Sequence, residues 1–494
     1  MASSLIPFEL HLQPALPTVV GNIDYHQLRQ QFQRIDELLI HSGLETQFVQ
    51  ECLEHWRAEC APRQPSTKAQ LRFQEQSRGA LRCNIARILL GEAYRDFAVR
   101  LADSPLLQSF CGMCRLDKIR VPSKSTLERY NQWAPEAQVR ELVGQLLRSG
   151  EQEAQKLQLQ AALDLDAYFV DTTCVKSNIH FPVDWILFRD ATRTLMKSVR
   201  LIREQGLKHR MEAPEVFMSR MNRLCIGMSQ ARLQPDHQRR RKRIFRKIDK
   251  LAQVVRGHAR RYRQQLDAQW EKTEWTRKQA EQVLGRMDNV LRQLPAARRQ
   301  ARQRILKQEP VRNDEKILSL YEPQARVIVR HKAGAEVEFG NTLLLGESPE
   351  GLIVDWELFA ESAPADSRLL LKSIERTEKS LAHKIKMVGA DRGFDSESNQ
   401  TKLLDRKTYN AVCPRSHQLL KKRYKSWKFR AAQRRRSQTE GRVGIFKANF
   451  LGSPLRSKGF DHRNVALAWA VLTHNLWVMA RLPQLEEDSQ QEAA

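Results

Sequence analysis

Met387-Val388-Gly389-Ala390-Asp391-Arg392-Gly393-Phe394-Asp395 is an apolar run that stops at an acid and then breaks at an Arg-Gly pair. That pattern predicts a buried strand carrying one carboxylate to its C-terminal tip, with Gly393 permitting a sharp turn. The polar segment Ser396 to Lys407 reads as a helix capped by Ser396, and Tyr409 to Cys413 as a second short strand. Open α/β sheets place their chemistry at the carboxyl ends of strands. One carboxylate is not a site, so partners must come from elsewhere in the chain.

The first partner follows Ala167-Tyr168-Phe169-Val170, an aromatic and β-branched run ending at Asp171. The second is Glu440, the first acid after a long basic segment. On a helix, Arg436, Glu440 and Lys447 share one face, because four and seven residues are close to whole turns. A surface ion pair between Arg436 and Glu440 explains that spacing as well as a site does. Gly441 and Gly444 weaken such a helix unless close packing requires them. Two strand-tip aspartates and a helix-borne glutamate are the hard oxygen ligands of a site holding two Mg²⁺ ions, with Mn²⁺ as a substitute. Neither a nucleophilic Ser or Cys motif nor a Gly-rich phosphate loop with its Lys competes with this reading.

The 494 residues carry a formal charge of +26, and 41% of them are hydrophobic. A soluble chain this basic is built to meet a polyanion, nucleic acid before others. A membrane is not expected: the most apolar segment, Val465 to Leu482, contains Thr473, His474, Asn475 and Arg481 and reads as a buried helix. No secretion signal is visible at the N-terminus. The eight cysteines are scattered, and Cys111-Gly-Met-Cys114 is a lone pair, so reduced thiols and a cytosolic compartment are expected.

Helical periodicity runs from Tyr25 to Glu59, and Ala61 to Lys68 reads as a linker. Ala69 to Trp133 is compactly helical. Asp103-Ser104-Pro105 is a helix start, and Ser125-Thr126-Leu127-Glu128 matches a capping box. The basic residues Arg95, Arg100, Arg115, Lys118, Arg120, Lys124 and Arg129 suit either a helix-turn-helix-like DNA reader or the solvated face of a small bundle. Helix is expected to continue from Glu141 to Leu159. From Asp184 to about Leu306 the chain is helical and basic. Ile244, Ile248, Leu251, Val255, His258 and Tyr262 there form a coiled-coil-like seam that Leu266 puts out of register. Arg239 to Arg243 is a solvated run or a phosphate contact. Strands are expected at Ala325 to Arg330, Val337 to Leu345 and Gly351 to Leu358. Arg415 to Arg436 holds ten Lys/Arg and no acid, interleaved with Tyr424, Trp427 and Phe429, which suits backbone tracking and base stacking.

Asp171, Gly389-Ala-Asp391-Arg-Gly-Phe394 and Arg436-x3-Glu440-x6-Lys447 together resemble the DDE transposases of bacterial insertion sequences, over about residues 66–482. The run Asp171-Thr-Thr-Cys-Val-Lys-Ser-Asn-Ile-His180-Phe-Pro182 strengthens the likeness to one group of them. The chain departs from the family where a tyrosine is common, at Gln433, and in carrying its insertion after the first strand. The resemblance implies an α/β, ribonuclease-H-like mixed sheet core (161–183 and 317–482), split by a basic helical insertion (184–316). A helical leader (1–65) and a helix-turn-helix-like DNA-binding region (66–160) precede it, and an acidic tail (483–494) expected to lack order follows. It further implies Mg²⁺-dependent cleavage and strand transfer. Asp171, Asp391 and Glu440 would be the catalytic metal ligands. DNA contacts would come from Arg392, Arg436, Lys447, Lys421, Lys422, Arg423, Lys425, Trp427 and Lys428. The partners would be duplex DNA, as terminal inverted repeats and as target, and a second copy in a synaptic homodimer, in the bacterial cytoplasm at the nucleoid. A structure-selective nuclease, or a transposase-derived binding protein without catalysis, remains open at this point.

Overall fold

The computed structural model describes residues 15–114, 119–231, 236–332 and 335–485. Among these, seven helices precede the first strand: α1 (Ile23–His41), α2 (Leu44–Cys60), α3 (Thr67–Leu89), α4 (Tyr94–Asp103), α5 (Pro105–Phe110), α6 (Lys124–Asn131) and α7 (Glu136–Gln152). Ser66 and Ser104 cap α3 and α5 as side-chain acceptors, with Pro105 opening α5 as expected. Two helix limits differ from expectation. The cap of α6 is Ser123, which accepts from Thr126 N at 3.3 Å, while Glu128 pairs with Lys124 at 3.1 Å instead of closing a box on Ser125. And α7 stops at Gln152, not Leu159, because the chain turns back along it: Leu163 N donates to Gly150 O at 3.1 Å, and Leu157, Leu159 and Leu163 are buried.

β1 (Ala167–Lys176) is followed by the insertion, α8 (Asp184–Glu204), α9 (Pro214–Ala231), α10 (His237–Gln269) and α11 (Arg277–Ala301). These four helices enclose their own hydrophobic core. Buried Asp184, where the insertion begins, receives Gln300 at 2.8 Å and Arg304 at 2.9 Å, where it ends, so entry and exit are tied together. The seam on α10 runs through Phe245, Ile248, Ala252, Val255, Ala259, Tyr262 and Leu266, all buried. Leu266 is therefore in register. Ile244, Leu251 and His258 flank the seam, and the true positions were hidden by alanines, whose small size lets neighbouring helices close in. Ala259→Leu is expected to overpack this seam and cost about 1–3 kcal/mol, read as a lower midpoint in thermal or denaturant melting.

The sheet is completed by β2 (Arg326–Lys332), β3 (Ala335–Glu347) and β4 (Ile353–Leu358); then come α12 (Asp366–Leu381), β5 (Met387–Ala390), α13 (Glu397–Asp405), β6 (Tyr409–Asn410), α14 (His417–Arg423), α15 (Trp427–Ile445) and α16 (Phe460–Met479). The order is β2-β3-β1-β5-β6, with β4 also on β3. β3 runs antiparallel to β1, β2 and β4, whereas β1, β5 and β6 are mutually parallel. β6 is short, yet Ala411 N and Cys413 N still bond to Val388 O and Ala390 O at 2.8 and 2.9 Å, so pairing extends to the expected end.

α16 is the spine of the main core. Trp469 packs edge-on to Phe48 of α2, and Asn475 clips both Ile353 N and Ile353 O of β4 at 2.8 Å. The N-terminal helices thus share one hydrophobic core with the sheet, and residue 65 marks a turn rather than a break in that core. Among the described residues no helix is long and apolar enough to cross a membrane, and all eight cysteines are free. Arg115 and Lys118, and all but the start of the expected acidic tail, lie outside the described residues.

Candidate active site

Parallel pairing of β1 with β5 ends at Val170 opposite Ala390. The next residue on each strand is an aspartate, so the register sets Asp171 beside Asp391. Asp171 is not at the tip of its own strand, as expected, but in its middle, since β1 continues to Lys176 against β3. The tip belongs to the parallel pair.

After Asp391 the chain makes one tight helical turn, Arg392–Phe394, in which Gly393 N donates to Asp391 Oδ1 at 2.8 Å. Gly393 is not needed for an unusual backbone angle there, as was expected. It leaves room for the carboxylates: a methyl group at that position would lie 2.8 Å from Asp366 Oδ2 and 3.0 Å from Asp391 Oδ1, so those side chains would have to move. Arg415 braces the turn by donating to Arg392 O and Gly393 O at 3.1 and 3.2 Å, while buried Asp395 accepts from Arg415 N at 2.8 Å.

Each aspartate is held through one oxygen. Asp171 Oδ1 accepts from Thr172 N at 2.8 Å, as Asp391 Oδ1 does from Gly393 N. The other oxygens meet a shared cation: Arg436 Nη2 stands 3.9 Å from Asp171 Oδ2 and 3.9 Å from Asp391 Oδ2. Burial, and then the neighbouring Asp391 charge, push the Asp171 carboxyl up to about 6, against the opposing pull of Thr172 N–H and Arg436. Asp366, at the start of α12, adds to that upward push.

Glu440 lies on α15 as expected, one turn beyond Arg436, and is exposed. Lys447 sits past the end of α15 and donates to Thr173 Oγ1 at 3.1 Å, so this stretch of chain follows β1 from Asp171 to Thr173. Among the described residues, however, no three His, Cys, Asp or Glu side chains gather closely enough to hold a metal ion. The expected convergence of Asp171, Asp391 and Glu440 into one cage is thus met only by the two aspartates. The cation between the two aspartates is the Arg436 guanidinium, and Glu440 lies one turn beyond it on α15. The donor set still fits a hard divalent ion. It is all oxygen, two Oδ2 atoms already face one positive group, and a raised proton affinity means a stronger cation gains by displacing the proton. Gly441 and Gly444 face open space, so internal packing does not demand them. Gln433 donates to Ala411 O at 2.6 Å and ties α15 to the sheet.

The basic segment forms α14 and the start of α15. Lys421, Lys422, Lys425 and Lys428 are exposed, as are Arg392 and Trp427, the last at 72%. Lys428 also lies 4.4 Å over the Tyr409 ring. Arg423 differs: it donates to Val412 O at 2.9 Å and so helps hold α14 to the sheet. Replacing Lys421, Lys422, Lys425 and Lys428 by Gln is expected to flatten the salt dependence of DNA binding by about 0.9 in log–log slope for each phosphate no longer neutralised. Trp427→Ala is expected to cost about 1–3 kcal/mol of single-strand affinity. Fluorescence anisotropy across a salt series measures both, and unchanged slopes would make the run a solvated face.

Asp366 escaped the sequence reading because an acid in the first turn of a helix is ordinary dipole complementation. Its only signal was Pro364 just ahead, marking a helix start soon after β4. Comparison of the chain with protein-family models, with curated proteins and with solved structures found no match.

Proposed function

We propose that the chain is a metal-dependent transposase that cuts and joins DNA on a ribonuclease-H-like core. The observation that carries this reading is the pair Asp171 and Asp391, set side by side by the β1–β5 register around one shared cation. The topology supports it too: a β1-β3-β4 antiparallel meander is extended on the other edge of β1 by parallel β5 and β6. Asp171 and Asp391, each steadied by a backbone N–H on Oδ1, would hold Mg²⁺, and Glu440 would complete the ligand set from α15. Bound divalent ions supply the charge neutralisation that phosphoryl transfer depends on and ease deprotonation of the attacking oxygen. Arg436, already poised between the carboxylates, keeps their oxygens aligned and offers its charge to the scissile phosphate. Lys447 holds a neighbouring phosphate. The exposed lysines of α14 and α15 track the strand, Trp427 stacks on an unpaired base, and the basic helices α4 and α6 grip duplex DNA.

The test is nicking and joining of labelled duplexes taken from the DNA on either side of the reading frame, including any inverted repeats found there. Cutting and strand transfer that require Mg²⁺ or Mn²⁺ are expected. Tight, end-dependent binding with no cutting in either ion would replace the transposase by a DNA-binding protein.

A further inference from the structure

α10 and α11 run antiparallel, since Arg263 bonds Asp288 while Arg298 bonds Asp249. Between them lies an open groove of about 610 Å³ lined by Arg260, Arg263, Gln264, Asp288, Leu291 and Arg292. Arg263 and Arg298 are neutralised by those aspartates. Among the described residues Arg256, Arg260 and Arg292 have no carboxylate partner. Arg260 and Arg292 are exposed, and Arg256 Nε is buried without a hydrogen-bond partner. Burial, and then the like charges of Arg260 and Arg298, hold the Arg256 guanidinium below its ordinary proton affinity. Like charges one helical turn apart destabilise a helix, and the bundle's own core, on the other faces of α10 and α11, does not require them.

We propose that this groove is a second DNA-binding surface, in which guanidiniums of α10 and α11 clasp successive phosphates of a duplex away from the catalytic aspartates. Arginine suits the task because its planar fork binds phosphate oxygens bidentately. Arg256 and Arg260 are about 6 Å apart along α10, of the order of the step between neighbouring phosphates in one strand. Arg260 lines the groove from α10 and Arg292 from α11, with Arg256 one turn further along α10, so a sugar-phosphate backbone lying in the groove meets positive charge on both walls. An acidic protein surface offers no such regular spacing, and a flat anionic membrane would not enter a groove. Asp288 at one end limits the track to the Arg256–Arg292 side. The inference rests on the DNA-binding part of the functional reading and not on catalysis.

The test uses the full-length protein and a fluorescent duplex of arbitrary sequence without divalent ions, so that a failure of the transposase reading leaves it intact. Arg260→Glu with Arg292→Glu is expected to weaken binding by ten- to a hundredfold. The double substitution Arg260→Gln with Arg292→Gln, which serves if charge reversal perturbs the fold, should lower the log–log salt slope by about 1.8 for two phosphates left without a cation. Arg260→Lys with Arg292→Lys should restore the slope and most of the affinity. Thermal melting should shift little in all three, because both side chains are exposed and like-charge contacts along a helix are weak. Wild-type affinity and slope in the folded Gln pair would overturn the proposal. So would loss of binding to phosphatidylserine vesicles with duplex binding intact, which would assign the groove to a membrane.

Discussion

Asp391→Asn is expected to leave binding of end-containing DNA within a factor of a few of wild type while cleavage and joining fall about a thousandfold or more. The two effects separate because they draw on different parts of the molecule. On the proposed function, affinity would come from the basic surfaces of α14, α15, the N-terminal helices and the α10–α11 groove, which the substitution does not touch. Chemistry would depend on charge at Asp391 Oδ2, the oxygen that faces Arg436. Asparagine keeps an oxygen to accept from Gly393 N, so the turn holds. What is lost is half of the anionic pair that would hold a divalent ion, and phosphoryl transfer rests almost wholly on positioning and charge stabilisation. Removing one anion beside the phosphates should if anything tighten binding slightly. A gel shift and a nicking assay on the same labelled duplex give both readouts, and wild-type cutting by the variant would remove Asp391 from the mechanism.

The second large effect is one of stability. Asp171 titrates near 6 in the folded chain against 3.8 for a free carboxyl. A raised folded value means the native state holds the proton more tightly than the unfolded chain does. Stability from this group is therefore greatest at low pH and is lost as pH rises from about 4 to about 6, staying low above that. With about 1.4 kcal/mol for each tenfold change in proton affinity, ionised Asp171 costs the fold roughly 3 kcal/mol at neutral pH. Asp171→Asn removes the cost and can still accept from Thr172 N. Without divalent ions the variant should melt several degrees above wild type at pH 7 and at the same temperature near pH 4. Mg²⁺ at pH 7 should raise the wild-type midpoint and leave the variant's unmoved. A variant that is less stable than wild type at pH 7 would mean that the carboxylate is not strained and that its role is structural.

Much of the sheet was legible because its strands carry strong local signals. The Met387–Asp391 run, the switch to aromatic and β-branched residues at Ala167, and the Gly-punctuated meander all form strands close to the expected places. Legibility failed where tertiary contacts set the limit. Nothing local says that β1 continues past Asp171, because that depends on pairing with Leu343 to Leu345 of β3. Small residues misled as well: the α10 seam was drawn through larger neighbours because Ala252 and Ala259 give little apolar signal of their own. In the candidate site the two aspartates, Arg436 and Lys447 were legible from spacing. Asp366 was not, since only the folded chain brings the start of α12 against the Asp391 turn. Nor could spacing show that the Arg436 guanidinium would stand between the aspartates.

The insertion's position has a further consequence for the order in which the protein can be made. β1 leaves the ribosome long before β3 and β5, the strands that flank it, because the whole of α8 to α11 comes between. The N-terminal helices wait longer still, since their core closes only on α16, near the other end of the chain. The bundle alone draws its core from one continuous stretch, and contiguous elements fold earliest during synthesis. A nascent chain therefore carries a finished, positively charged bundle while Asp171 still stands apart from Asp391. If the proposed function holds, nucleic acid would be gripped before anything could be cut, and a prematurely ended chain without α16 would bind without cleaving.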